Sequence, residues 1–137
     1  MKVYVASSWK SSERHQEVVN ALRDNNIEVY DYRTDGAFHW SEIHPNYRNW
    51  DTKDFLEGLE HPLAKKAFKL DLKGMTTSDA CILILPSGRS SHMEAGWFVG
   101  QGKPLYILTQ DGEPPELTYK LADLVTVNFA EILGKLK

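Results

Sequence analysis

The chain has 137 residues, enough for one domain with a single sizeable core. Its apolar fraction of 42% and charged fraction of 26% are ordinary for a globular protein. A net charge of −3 with no long basic run argues against a nucleic-acid polymer as partner. No apolar stretch approaches the about 20 residues that span a bilayer, which argues against a membrane partner.

Met1 to Val5 enter a strand pattern directly, which predicts no signal peptide. The single cysteine, Cys81, lies inside an apolar run. It excludes an intrachain disulfide, fits a reducing cytoplasm, and reads as a buried structural thiol rather than a nucleophile.

Lys2 to Ala6 is the first predicted strand, followed by the polar turn Ser7-Ser8-Trp9-Lys10-Ser11-Ser12. Ser11 or Ser12 caps a helix through about Asp24, with Val18, Val19 and Leu22 as its core stripe. Asn25-Asn26 ends that helix, and Ile27 to Tyr32 is a second strand, which completes a right-handed βαβ unit.

Arg33 to Trp50 has no clear period but carries Phe38, Trp40, Tyr47 and Trp50. It reads either as a loop pinned by its own aromatics or as a lid whose rings, Phe38 and Trp40 among them, stack on a planar ligand. The spacing of His39 and His44 is not that of a metal pair, so no metal is expected.

Asp51 caps a short helix to about Gly58, and Pro62 opens a longer one to Ser78 with Leu63, Ala67, Leu70 and Met75 as an apolar stripe. Asp71 falls near the C-terminal end of that helix, either solvated or over the sheet edge. Ala80 to Leu85 is a continuous apolar run, too short for a buried helix, and reads as a central parallel strand. A helix from about Ser91 to Gln101 stops at Gly100 and Gly102 with Pro104 beyond. Leu105 to Leu108 and Leu124 to Val127 are further strands, with a helical turn from Leu117 to Ala122 between them, and Phe129 to Leu136 is a closing helix. The alternation predicts one domain over 1–137: a flavodoxin-like, doubly wound, five-stranded parallel sheet of order 2-1-3-4-5 with helices on both faces.

The chemistry points to the segment after the central strand. Pro86-Ser87-Gly88 breaks that strand, and Ser91-His92-Met93-Glu94 matches a capping box, Ser at the cap and Glu at the third helical position. As a cap, Glu94 needs no ligand. As a carboxylate at a helix N-terminus beyond a central strand, it occupies the usual ligand position of an open α/β sheet and suits a nucleophile. Gly88 permits close backbone approach and Gly96 tight packing.

Tyr4 in the first strand, Asp71 before the central strand, and Pro86-Ser87-Gly88 leading to Glu94-Ala95-Gly96 resemble the nucleoside 2-deoxyribosyltransferase family over about Lys2 to Leu136. The Arg33 to His61 segment is poorly matched. The resemblance implies Glu94 as nucleophile, Asp71 assisting at the sugar hydroxyls and the leaving base, and Tyr4 orienting the nucleophile. It implies a nucleoside or nucleotide substrate, no cofactor, and a homodimer or larger homo-oligomer in which neighbouring chains complete each site.

Within the family, Ser8 and Lys10 at a helix start resemble the branch that hydrolyses deoxynucleoside 5′-monophosphates. Ser87, Gly88 and Arg89 would complete that phosphate site, with Thr118 reaching in from a neighbouring subunit. Lys10 reads equally as a solvated surface lysine. Two rival readings stay open: an NAD glycohydrolase related to Toll/interleukin-receptor domains, and a nucleotide-sensing module that cleaves nothing.

Overall fold

The computed structural model describes all 137 residues. Lys2–Ala6 (β1), Glu28–Asp31 (β2), Ala80–Ile84 (β3), Leu105–Leu108 (β4) and Leu124–Thr126 (β5) form one sheet in the order β2-β1-β3-β4-β5. The β1–β3, β3–β4 and β4–β5 pairs are parallel, with Tyr4 opposite Cys81 and Cys81 opposite Leu105. This is the predicted fold class and strand order.

The helices are Ser12–Asp24 (α1), Tyr32–Asp35 (α2), Thr52–Leu59 (α3), Pro62–Thr77 (α4), Arg89–Gly100 (α5) and Phe129–Leu136 (α6). The contacts group into two compact units, one of residues 1–30 and 77–137, the other of residues 31–76.

In the first unit the strand alternation sorts side chains to two faces. Val3, Val5, Ile82, Ile84, Tyr106 and Leu108 pack with Val18, Val19 and Leu22 of α1 and Ile132 and Leu136 of α6. Tyr4 points the other way, towards Phe98 of α5. Helices therefore cover both faces, and β3, buried at all five positions, is the central strand.

Chain reversals follow the sequence signals: Asn26 takes a positive φ of 59° after α1, and Gly102 one of 72° after α5. The cap of α1 differs from expectation. Ser11 stands at the N-cap of α1 but makes no side-chain capping bond; Ser8 caps a single 3-10 turn, Trp9–Ser11, by accepting from the Lys10 N–H. The side-chain capping bond thus belongs to the extra turn ahead of α1 rather than to α1 itself.

In the second unit, α3 begins at the expected cap: Asp51 and Asp54 bond each other's backbone N–H groups. The aromatic segment is not devoid of secondary structure. It holds two 3-10 turns, Trp40–Glu42 and Tyr47–Asn49, and its rings pack edge to face. Trp40 contacts Phe38, Trp50 and Phe55 at centroid distances of 5.2, 6.1 and 5.4 Å. The apolar stripe of α4 is displaced: Ala64, Gly74 and Met75 are buried, while Leu63 and Leu70 remain 40% and 38% exposed. Asp71 lies six residues before the end of α4, too far for the unfavourable end-dipole effect expected of it.

Candidate active site

Tyr4 is fully buried on β1, its ring stacked on Tyr30 at 5.2 Å with the planes 7° apart. Phe98 closes a second side at 5.6 Å. A phenol so enclosed must find a partner for its hydroxyl. It donates a short hydrogen bond to Oε2 of Glu94, which is half-buried on α5. Cys81, the residue paired with Tyr4 across β1 and β3, is also fully buried. Burial, and then the charge of Glu94, hold its thiol pKa well above the usual range. Cys81 is thus the structural thiol that its sequence context predicts.

The capping box is not formed. Helix α5 begins at Arg89 with Gly88 as its cap and without any side-chain capping bond. Ser91 lies inside the helix, and its hydroxyl donates 2.9 Å back to the Gly88 carbonyl. Glu94 is therefore in the second turn, where the helix dipole has largely faded. The carboxylate accepts a hydrogen bond from the Tyr4 phenol. Gly96 is exposed, and a Cβ built there meets nothing within 4 Å, so it provides no tight packing. A Cβ on Gly88 likewise meets nothing within 4 Å, so the space beside its backbone is open.

The turns after β1 and β3 are joined side by side. Ser11 donates its hydroxyl 2.6 Å to the Pro86 carbonyl, tying the Ser8–Lys10 turn to the Ser87–Arg89 turn. Ser8 and Ser87 are half-buried; Lys10, Gly88 and Arg89 are exposed. Lys10 opens onto a cleft of about 350 Å³ shared with Glu13, Arg14 and Pro86. Arg14 donates to the Leu85 carbonyl at 2.7 Å and to the Thr109 carbonyl, bracing the ends of β3 and β4. Ser7 lies 2.5 Å from the ring nitrogen of buried His15.

Thr118 is exposed on the 3-10 turn Leu117–Leu121, next to Tyr119, whose hydroxyl meets His92 of α5. Phe38 and Trp40, both half-buried, belong to the ring cluster of the second unit, as does half-buried Asp71 to its helix α4. His39 and His44 join no group of three or more potential metal ligands.

Sequence reasoning passed over Tyr30, Arg14, His92 and Tyr119. Three of these act through main-chain carbonyls or ring stacking, which leave no spacing signature. Tyr30, on the edge strand β2, has one only once the strand order is known.

No protein-family model matches the sequence, and no match to a curated protein is found either. Solved structures do match. A 2-deoxyribosyltransferase from the psychrotolerant bacterium Bacillus psychrosaccharolyticus superposes with a TM-score of 0.66 at 19% identity, over 96% of this chain and 90% of that one. The CMP N-glycosidase BcmB of Clostridium botulinum gives 0.58 at 18% identity, over 99% and 98%. A conserved protein from Enterococcus faecalis gives 0.56 at 15% identity, over 100% and 87%. These likenesses establish the fold, and at that level they bear out the resemblance carried by Tyr4, Asp71 and the Pro86 to Gly96 segment.

Proposed function

We propose that this chain, built on the fold of the nucleoside 2-deoxyribosyltransferases, cleaves the N-glycosidic bond of a nucleoside or its 5′-monophosphate. The observation that carries the reading is the buried Tyr4 phenol bonded to the Glu94 carboxylate. The Glu94 carboxylate, oriented by that phenol, is the nucleophile. It attacks the anomeric carbon as the bond to the base breaks, and positive charge on the sugar is stabilised by the fixed carboxylate. The departing nitrogen takes a proton from an acid, the part we give to Asp71 along with contacts to the sugar hydroxyls. Water or a second base then attacks the anomeric carbon and releases Glu94.

The two turns tied by Ser11 supply the phosphate end. Ser8, Ser87 and the Gly88 backbone offer small donors, Lys10 a mobile charge and Arg89 a two-pronged contact. Thr118 of a neighbouring copy reaches the same end in a homodimer or larger assembly, and Phe38 and Trp40 serve the base. No metal or organic cofactor enters the reaction.

The test is base release from a panel of nucleosides, their 5′-monophosphates and NAD, with and without a second free base. Glu94→Gln keeps an acceptor for Tyr4 but removes the nucleophile. Base release should fall by about a thousandfold or more with thermal unfolding unchanged. Full activity in that variant rejects the assignment, and turnover of NAD alone selects the glycohydrolase reading.

A further inference from the structure

Beside the Tyr4–Glu94 pair, the His92 imidazole has both ring nitrogens engaged. Nδ1 of His92 lies 2.7 Å from the Gly88 carbonyl, and Nε2 lies 2.8 Å from the Tyr119 hydroxyl. The His92 and Tyr119 rings also stack, with centroids 5.8 Å apart and planes at 22°. A carbonyl only accepts, so Nδ1 carries the hydrogen. Nε2 of the neutral ring then accepts from the phenol. Burial, and then the charges of Glu116 and Glu113, raise the Tyr119 pKa, which keeps the proton on the phenol.

His92 is not placed to react alongside Glu94. Two residues along a helix turn through about 200°, so the two side chains leave opposite sides of α5. Its partners are instead loop groups. Gly88 is the cap of α5, and Tyr119 sits in the middle of the Leu117–Leu121 turn. Ser87 Oγ stands 3.5 Å from Nδ1, the outer limit of a hydrogen bond, so its own hydrogen stays available to an acceptor outside the chain.

We propose that His92 is a positioning residue for the substrate's 5′ end. Through Gly88 and Tyr119 it locks the turn after β3 to the Leu117–Leu121 turn. It thereby sets where Ser87, Arg89 and Thr118 are presented. The inference rests on the phosphate-bearing substrate proposed above.

The experiment is steady-state base release by wild type, His92→Ala, Tyr119→Phe and the double variant, on deoxynucleoside 5′-monophosphates and the matching nucleosides. His92→Ala should raise KM for the monophosphate about tenfold while kcat stays within about threefold, and leave the nucleoside's constants in place. Tyr119→Phe should shift KM the same way by a smaller factor. The double variant should match His92→Ala alone, because both act through one contact. If His92→Ala does not fold, the Tyr119→Phe shift carries the test.

A fall in kcat with KM unmoved, an equal loss on nucleoside and nucleotide, or wild-type constants in both single variants overturns the inference while leaving the glycosidase reading standing. A wild type that releases no base, or that prefers the free nucleoside, overturns the substrate reading and the inference with it.

Discussion

At Glu94 the carboxylate stands on the sixth residue of α5, beyond reach of the helix's own free N–H groups, and is oriented by a tyrosine from another element. Beneath it, Cys81 supplies a test of how dry this part of the sheet is. Its thiol pKa is raised in the folded state, so the neutral form is favoured there. That contribution is complete below the unfolded thiol's pKa, about 8.5, and is lost as pH rises from there towards the folded value. Denaturant unfolding across this alkaline range should therefore show wild-type stability falling about 1.4 kcal/mol per pH unit faster than that of Cys81→Ala. Equal slopes would place the thiol in contact with water. Lys10, exposed on its turn, is expected to act on binding alone. Lys10→Ala should raise KM for a monophosphate, spare kcat, and change nothing for the nucleoside. The same change in both substrates would return Lys10 to the solvent.

Two helix glycines at the element scale should respond in opposite directions. Gly96 on α5 is exposed with nothing within 4 Å of a Cβ, so Gly96→Ala should stabilise by about 0.5–1 kcal/mol through helix propensity alone. Gly58 on α3 is buried against two indoles, where a Cβ would lie 3.0 Å from Trp50 and 3.2 Å from Trp40. Gly58→Ala should cost about 1–3 kcal/mol in overpacking, less what propensity returns, and should perturb tryptophan fluorescence. These two cases show what could be read from residue order. Strands betray themselves by unbroken apolar runs such as Ala80 to Leu85, so the sheet and its order were legible. Helix starts are set by local competition, and Ser91 illustrates it. Its hydroxyl turns back to the Gly88 carbonyl, a bond equally compatible with the same letters. The aromatics from Phe38 to Phe55 carry no period because they pack as a cluster of rings rather than along one face. Tyr4 was legible as a candidate through its family resemblance, whereas His92 acts through a carbonyl and a distant phenol that no motif records.

For the whole molecule, no helix is long and apolar enough to cross a membrane. The first unit nonetheless leaves large apolar side chains in water: Leu117 is 83% exposed, Met93 79% and Leu121 61%. Leu117 and Leu121 flank Thr118, the residue proposed to serve a neighbouring copy. Light scattering at micromolar concentration should give a dimer or larger species, and Leu117→Glu with Leu121→Glu should shift it towards monomer and lower base release together. A wild type that stays monomeric while fully active would remove Thr118 from the site.

The pairing of Tyr4 with Cys81 also has a consequence in time. The strand bearing Tyr4 is made first, but its central neighbour follows only after the whole of residues 31–76 has been synthesised. Contacts that join such distant positions are slow to form, because the intervening chain must be closed into a loop before they repay it. Tyr4 and Glu94 lie on opposite sides of that loop, so their hydrogen bond requires the loop to be closed. A nascent chain halted before β3 carries the orienting phenol with no carboxylate to orient.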